Sequence, residues 1–492
     1  MAKDRRNQET LLQLKRTIRL LPLIAIIYCS SSGGAYGLET ALSTSGVGVT
    51  LLLILVMPFI LSIPMSLMAA ELGSALPLEG GYYAWVKIAM GRFAGFMEAM
   101  FSWMASWLDT ALYPVIFVDY LSIWFPALAR GKHPLITLWN GGFCIDLHLF
   151  IALLMMVPLA YLNIRGADVV GRSTILFVVG IFVPLICLIF FEAKHFISHP
   201  HSHLLQPLTL PHQSIVSSLG AGLGIMIWSY IGYDQITTAS SEIRKPSTIY
   251  PRALLINVPL IVIGYLLPIL AAVATGYHAN DVTAWQNGDF ANAGGLAGGA
   301  WLRNALILGA LLGQIGLFSS LLLCVSRLPL VLAADAYLPS SLARLTAQTK
   351  SPARAIITSV TIFAIFATLN FTTLIDADSI LTLFGLMLEF AALIILRKRY
   401  PLMKRPFTIK YGWVGVIGVT VGPTILTLWL LGSSLTQEPL AFWIGIGLSG
   451  VAALSYPLLK KYVKRNAPDA ELDLSDVDFG PGFDRHKEVF SE

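Results

Sequence analysis

Charged side chains are scarce in this sequence. They make up 12% of its 492 residues, whereas 56% are hydrophobic. A soluble domain usually has about 25% charged and about 45–50% apolar residues. A chain of this length with so few charges lacks the means to coat a soluble surface. The shortage therefore excludes a string of soluble domains and predicts one large membrane domain.

Several functional signatures are also missing. The four cysteines are scattered and three lie in apolar runs, so a disulfide framework is not expected. No P-loop is present, which argues against direct coupling to ATP, and a GxGxxG string at 445–450 follows no strand. We expect no cofactor and no bound metal. The polar, basic amino terminus lacks the features of a cleavable signal.

Long apolar runs are what the sequence has in abundance. Each approaches the length of about 20 residues that a helix needs to cross the hydrocarbon core, where backbone groups must be satisfied internally. The expectation is an all-α integral membrane protein with a transmembrane domain at 20–462, an amino-terminal tail at 1–19 and a disordered, acidic tail at 463–492. The predicted helices, about twelve, lie at 20–42, 50–70, 95–122, 147–163, 171–191, 218–240, 252–277, 301–326, 352–372, 378–397, 414–432 and 440–458.

The basic residues predict the orientation of these helices. With twelve helices and both termini in the cytoplasm, 29 of the 33 Lys and Arg residues fall on the cytoplasmic side, and the others are Arg130, Lys132, Lys194 and Arg303. The positive-inside rule describes this asymmetry. We therefore expect a multi-pass protein of the cell membrane, surrounded by lipid. The net charge of +5 does not indicate nucleic-acid binding, because the basic residues are spread over short loops and the termini.

The first predicted helix is interrupted near its middle. Its apolar run LPLIAIIY is followed by CSSSGGAYG before LETALSTSG continues. Each glycine lowers helix stability by about 1 kcal/mol relative to alanine, and it also lets a ligand approach the backbone. Close helix packing through small residues is the alternative explanation.

The sixth predicted helix has a similar interruption at Gly232 and Asp234. The first and sixth helices occupy corresponding positions in two five-helix halves, at 20–191 and 218–397, and two helices at 414–458 follow. Paired interruptions are typical of inverted-repeat transporters whose site lies near the middle of the membrane. Free amides at helix amino termini suit a carboxylate, whereas carbonyls at carboxyl termini suit an ammonium or a cation.

Acidic residues lie within the predicted helices, whereas no lysine lies at mid-depth. An acid inside the bilayer costs at least about 2.5–3.5 kcal/mol and usually has a function. Asp109, Asp234 and Glu39 are therefore candidates for binding a coupling proton. Glu39 has an alternative role as a cap on the outer half of the broken first helix.

Five stretches of the sequence resemble the amino acid–polyamine–organocation superfamily. Three are SGGAYGLE at 32–39, PLEGGYYAW at 77–85 and WSYIGYDQITTASSEIRKP at 228–246. DTALYPVIFVDYL at 109–121 and LEFAALIILRKRYPLMKRPF at 388–407 are most similar to the polyamine–proton symporter branch, which also contains amino acid transporters. The resemblance implies a LeuT-type five-plus-five inverted repeat with discontinuous first and sixth helices, and proton-coupled uptake.

The resemblance also assigns residues to sites. Related folds place cation ligands where Ser319 and Ser320 lie in the eighth helix. The first break and the sixth-helix segment with its aromatic gate would hold the substrate. The predicted substrate-binding residues are Ser30, Ser32, Gly33, Gly34, Ala35, Trp228, Tyr230, Ile231, Gly232, Tyr233 and Asp234.

The substrate prediction depends on the first break. Plant polyamine transporters have an acid at the position of Ser30, and some proton-coupled relatives have a lysine in the fifth helix that is missing here. The hydroxyls and amides of SSSGG fit a carboxylate through charge-assisted hydrogen bonds. We therefore predict a secondary active transporter, not an enzyme, that takes up an amino acid with protons. A polyamine–proton symporter and an exchanger of amino acids or amines are the alternatives.

Overall fold

The computed structural model describes residues 16–132, 134–138, 143–198, 207–211, 213–369, 371–437, 439–466 and 479. Within these ranges the membrane domain is helical, because helices satisfy their own backbone groups in a bilayer. The helices of the amino-terminal part are α1 (Leu20–Ser31), α2 (Glu39–Ser45), α3 (Val47–Met57), α4 (Ile63–Ala75), α5 (Tyr82–Ser122), α6 (Leu147–Ile164) and α7 (Ala167–Ser198).

The remaining helices follow the described residues 207–211 and 213–214. Short 3-10 segments lie between some of them, including Gln235–Glu242 after the first of these helices. The helices are α8 (Ile215–Tyr230), α9 (Pro246–Ala274), α10 (Asp289–Gly298), α11 (Ala300–Val325), α12 (Arg327–Ala334), α13 (Ala353–Phe366), α14 (Phe371–Arg399), α15 (Gly412–Gln437) and α16 (Pro439–Asn466).

Nine segments of the described chain are long and apolar enough to cross a membrane. The shorter helices α1 and α13 are also apolar, and the 41-residue α5 contains a break at Gly91, whose φ is 87°. The chain is therefore an all-helical membrane protein, as predicted, whereas the count of twelve spans stays a prediction. The nine segments are Val47–Ala75, Leu147–Ile164, Ala167–Lys194, Ile215–Glu242, Pro246–Ala274, Ala300–Ala334, Ala377–Arg399, Gly412–Leu435 and Phe442–Lys460.

Four predicted helices can be compared with the observed ones. The helices predicted at 20–42 and 218–240 are each divided, as their predicted interruptions require, because glycines with positive φ interrupt them. The helix predicted to begin at residue 95 begins at Tyr82, in a stretch whose two basic residues hid it. The helix predicted to begin at Asp378 begins at Phe371, so Asp378 lies inside it.

The chain outside the long helices contains two smaller features. Strands β1 (Ile136–Leu138) and β2 (Phe143–Ile145) form an antiparallel hairpin between α5 and α6, which was not predicted. In the amino-terminal segment, Ile18 pairs with Ile243 in a parallel bridge. The predicted acidic tail at 463–492 lies outside the described residues, except for 479 and the last turn of α16, which continues to residue 466.

Ala300–Ala334 is the most buried of these nine segments, and its helix α11 packs against α1, α5, α6, α7 and α10. By contrast, Phe442–Lys460 of α16 is the least buried of the nine, and α16 contacts mainly α14, α5 and α15. The centre of the fold is therefore formed by α1, α5, α8, α11 and α14, and the two interrupted helices meet there.

Candidate functional site

The first helix break is an extended segment after Ser31, where α1 ends. Ser32 has φ −162° and ψ 133°, and its backbone N–H donates to the Tyr28 carbonyl at 2.7 Å. Gly34 has φ +82°, a conformation that side chains rarely adopt. The chain resumes a helix at Glu39, so backbone groups of the intervening residues are free of helical bonds.

The second break follows Tyr230, where α8 ends. Ile231 is extended, and Gly232 has φ +95°. A Cβ atom at Gly232 would lie 2.6 Å from the Ser30 carbonyl oxygen, so the two breaks are in direct contact. From α9, the Tyr265 hydroxyl donates to the Ser229 carbonyl at 2.9 Å. The second break is thus held against the first.

Gly232→Ala should abolish most transport and lower the apparent Tm. The new methyl group would meet the Ser30 carbonyl, and alanine would be strained at a φ of +95°, a combination that costs at least about 1–3 kcal/mol. Gly418→Ala in α15 is the matched control, because no atom lies within 4 Å of its Cβ position. Retention of both properties in Gly232→Ala would show that the breaks are not closely packed.

A cavity of about 590 Å³, counted with the open space that continues from it, lies at the junction of the breaks. Its size falls within the range of small-molecule sites. Among its described lining residues there are two acids and no Lys, Arg or His. They are Ser30, Ser31, Ser32, Gly33, Gly34, Tyr36, Leu38, Ala105, Ser106, Asp109, Tyr113, Trp228, Ser229, Ile231, Gly232, Gln235, Tyr265, Leu317, Leu321, Val325, Asp378 and Thr382.

Asp109 lines this cavity from α5. Its Oδ1 accepts hydrogen bonds from Trp228 Nε1 at 2.8 Å and from the Tyr113 hydroxyl at 2.5 Å. These bonds fix the carboxyl group and connect it to the last turns of α8. A positioned carboxylate in a cavity whose described lining has no basic residue is suited to an ammonium group.

Asp378 lines the same cavity from α14, and the sequence did not single it out. Its side chain is 1% exposed. Its Oδ1 accepts a hydrogen bond from Thr382 Oγ1 at 3.2 Å, and its Oδ2 has no hydrogen-bond partner in the described part of the chain. The acid was overlooked because it stood at the predicted start of a helix, where solvent is expected. Its position inside α14 makes it a second buried acid of the cavity.

The predicted substrate residues fall into two groups. Ser30, Ser32, Gly33, Gly34, Trp228, Ile231 and Gly232 line the cavity, whereas Ala35, Tyr230, Tyr233 and Asp234 do not. The cavity also includes residues that were not predicted, and two of them, Ser106 and Tyr265, come from neighbouring helices. Polar residues one helical turn apart at 106, 109 and 113 are the signal that would have identified the α5 face.

The other predicted residues lie away from the cavity. Glu39 is the first residue of α2, and it accepts a hydrogen bond from the Gly37 amide at 2.6 Å and another from the Tyr120 hydroxyl. Neither donor belongs to α2, and no side chain caps the start of this helix, so the alternative role of Glu39 as a cap stays a prediction. The carbonyl and hydroxyl of Ser319 accept from Asn163 Nδ2, each at 3.2 Å, and Ser320 Oγ lies 3.4 Å from a threonine hydroxyl on α7. Binding of a proton or cation by these residues stays a prediction.

Buried charged residues lie in the segments that the basic residues predict to be cytoplasmic. Arg327 is 0% exposed, and its guanidinium donates twice to Glu242 Oε1, at 2.6 and 3.0 Å. Lys87 of α5 forms an ion pair with Asp335, which directly follows α12, and these two helices pack together.

Glu79, in the loop before α5, accepts a hydrogen bond from Ser241. Burial raises the pKa of Glu79 to about 8, and the neighbouring Glu242 adds to the effect.

Glu79→Gln should become more stabilising as pH rises. Below pH about 4.5 the carboxyl group is protonated in both folded and unfolded chains and contributes nothing. Between about 4.5 and about 8 the unfolded chain ionises first, so the wild type loses stability, and the loss is complete above pH about 8. The apparent Tm of the variant, measured in detergent, should therefore exceed that of wild type by a growing margin. Asp168→Asn on the exposed start of α7 is the control, and a margin that is constant with pH would contradict the prediction.

Comparison with known proteins matches residues 18–451 to a family described as amino acid permease. The chain is 31% identical to Polyamine transporter RMV1 of Arabidopsis thaliana, over 85% of this chain and 80% of that one. It is 31% identical to Polyamine transporter PUT1 of Oryza sativa subsp. japonica, over 92% and 80%. A more distant relative, at 22% identity over 92% and 98%, is Serine/threonine exchanger SteT of Bacillus subtilis (strain 168).

Proposed function

Since the chain belongs to the amino acid permease family, a family of secondary transporters and not of enzymes, we propose that it carries a polyamine across the cell membrane together with protons. The observation that carries the proposal is the pair Asp109 and Asp378, which line one cavity that has no basic residue among its described lining. A diamine presents two ammonium groups and no carboxylate, so it can neutralise both acids at once.

The relatives support the same substrate class. RMV1 and PUT1 are named as polyamine transporters, and each matches most of this chain. The sequence alone favoured an amino acid, because Ser30 stands where the plant transporters have an acid. Asp378 alters that reasoning, since it provides a second acid from α14. The acid that is missing from the first break is thus compensated from another helix.

An amino acid is the second candidate, and one observation favours it. Ser31 lines the cavity, and its hydroxyl has no hydrogen-bond partner among the described residues. This hydroxyl could donate a charge-assisted hydrogen bond to a carboxylate. A carboxylate bound there would lie beside Asp109 and Asp378, which opposes this role because like charges repel more strongly away from water.

Competition between matched pairs of compounds separates the two candidates. Purified protein in proteoliposomes would take up labelled putrescine under an inward pH gradient, with ornithine, lysine, cadaverine and spermidine as competitors. The amines should inhibit at least tenfold better than the corresponding amino acids, a difference of about 1.4 kcal/mol or more. Stronger inhibition by ornithine than by putrescine would overturn the polyamine proposal in favour of amino acid transport.

We also propose the architecture that the family resemblance implies. Residues 20–462 form twelve spans, the halves at 20–191 and 218–397 are inverted repeats, and the helices at 414–458 are additional. The positions of the two breaks, after α1 and after α8, support this division. Alternating access in such folds moves one bundle against the other around the central site.

Both termini are proposed to be cytoplasmic. In a variant without native cysteines, Lys132→Cys and Lys404→Cys place single reactive residues in exposed loops on opposite sides of the predicted topology. In intact cells an impermeant maleimide should label residue 132 and not residue 404, whereas permeabilised cells should label both. Labelling of both sites in intact cells would contradict the orientation.

A further inference from the structure

Three buried acids lie outside the cavity on neighbouring segments. Glu98 is on α5, Asp234 follows the break after α8, and Glu389 is on α14, with exposures of 0%, 4% and 1%. None of them lines the cavity. The carboxyl groups of Asp234 and Glu389 interact with one another, and Glu98 interacts with both. Glu98 Oε1 lies 3.2 Å from the Cβ position of Gly385, one turn before Glu389 on α14. We call these three residues the acid cluster.

The acid cluster has no neutralising cation among the described residues. None of its members takes part in an ion pair there, and the ionisable side chains facing it are Tyr82, Tyr250 and Cys324. Ser102 Oγ donates to Glu98 Oε1 at 2.8 Å. The buried atoms that receive no hydrogen bond from a protein donor are Glu98 Oε2, Asp234 Oδ1 and Glu389 Oε2.

Chemistry restricts how these acids can exist together. An ionised carboxyl group only accepts hydrogen bonds, so two carboxyl groups bond to each other only when one carries a proton. Burying an ion without a partner costs several kcal/mol even after relaxation. A proton held by the acid cluster would therefore explain two observations. The carboxyl groups lie close together without a cation in the described surroundings, and three of their oxygens have no donor there.

The acid cluster is connected to the cavity through two side chains. Gln235 lines the cavity and directly follows Asp234 in the chain. Its Oε1 accepts a hydrogen bond from the Tyr82 hydroxyl at 3.4 Å, and Tyr82 faces all three acids. Two residues before Asp234 is Gly232, which contacts the first break. The segment that carries Asp234 therefore also contains the second break and a residue of the cavity.

We infer that the acid cluster of Glu98, Asp234 and Glu389 is the binding site of the coupling proton, an inference that rests on the proposed proton-coupled transport. The proton enters with the substrate, bonded to one carboxyl oxygen and shared between Asp234 and Glu389. When it leaves on the opposite side, one O–H bond of the pair breaks, water becomes hydronium, and Asp234 and Glu389 are both left as carboxylates. The resulting repulsion separates α14 from the segment after α8, which lets the cluster take up the next proton.

An infrared measurement tests the cluster without any substrate. In purified wild-type protein, protonated buried acids should give a carboxylic C=O band that persists above the pH at which exposed acids ionise. Glu389→Gln, Asp234→Asn and Glu98→Gln should each reduce this band, whereas Asp168→Asn on the surface should not. An unchanged band in all three cluster variants would overturn the inference, whatever the transported substrate is.

A transport measurement then tests coupling. In proteoliposomes loaded with a pH-sensitive dye, wild type should move protons with labelled putrescine. Glu389→Gln should lose proton movement and gradient-driven accumulation but retain counterflow exchange, since glutamine resembles the protonated acid. Retained exchange also demonstrates that the variant is folded. Accumulation with an unchanged ratio of protons to putrescine in the cluster variants would overturn the inference.

The two readouts separate this inference from the proposed function. If wild type moves no polyamine, the polyamine proposal fails, and the infrared band still decides whether the cluster holds a proton. If Glu389→Gln weakens putrescine binding at least tenfold while proton movement is unchanged, the cluster binds an ammonium group and not the coupling proton. That result would overturn the inference and leave the polyamine proposal intact.

Discussion

Asp378→Asn is expected to weaken putrescine binding by about 30-fold, or about 2 kcal/mol, which is the contribution of a charge-assisted hydrogen bond. The proposal assigns one ammonium group to the Oδ2 of Asp378, which has no partner among the described residues, and the other to Asp109. Asparagine has nearly the same shape but supplies a neutral acceptor. A filter-binding or calorimetric titration of the purified protein measures the change directly.

The sharper form of this experiment compares putrescine with n-butylamine, which has the same four-carbon chain and a single ammonium group. Wild type should prefer the diamine, and Asp378→Asn should reduce that preference to nearly one, because only one acid remains. Asp168→Asn is the control for the loss of a carboxylate, since its side chain is 46% exposed on α7. An undiminished preference in Asp378→Asn would show that the second ammonium group does not bind there.

Arg327→Gln is expected to lower the free energy of unfolding by about 3–5 kcal/mol, as breaking one side of a buried ion pair usually does. Arg327 is fully buried, and its guanidinium also donates to the Leu323 carbonyl at 2.5 Å. Its removal leaves Glu242 without its cation and close to Glu79, whose carboxyl group interacts with both. The change is measurable by reversible unfolding in mixed micelles.

Two comparisons make the Arg327 experiment specific. Arg172→Gln breaks an ion pair whose arginine is 77% exposed, and it should cost no more than about 1 kcal/mol. Replacing both Arg327 and Glu242 with apolar residues of similar volume should restore most of the lost stability, because no unpaired charge then remains. Equal effects of Arg327→Gln and Arg172→Gln would show that burial does not govern the pair.

The sequence predicted the membrane class and the two helix breaks because both depend on local composition. Runs of apolar residues indicate helices in a bilayer, and clustered glycines interrupt them. The family resemblance was correct, since the amino acid permease match covers residues 18–451. The breaks at Ser31 and Tyr230 fall inside the helices that were predicted to be discontinuous.

Contacts between distant segments are what the sequence did not reveal. Asp109 and Asp378 are far apart in the chain, and only the packing of α5 against α14 brings both to one cavity. The same packing brings Glu98 and Glu389 together around Asp234. No periodicity within one segment reports such a meeting, because pairwise geometry depends on the whole bundle.

The bridge between Ile18 and Ile243 has a consequence for how the protein is made. Its two residues are about 225 positions apart, the Arg244 N–H also donates to the Ile18 carbonyl at 2.9 Å, and the Thr17 N–H donates to the Glu242 carbonyl at 2.9 Å. At about 5–20 residues per second, a ribosome needs about 10 to 45 s to reach the second strand after the first has been made. The earliest part of the domain therefore completes its folding only after half of the polypeptide has been synthesised. In a nascent chain released before that point, residues 17 and 18 would lack their backbone partners.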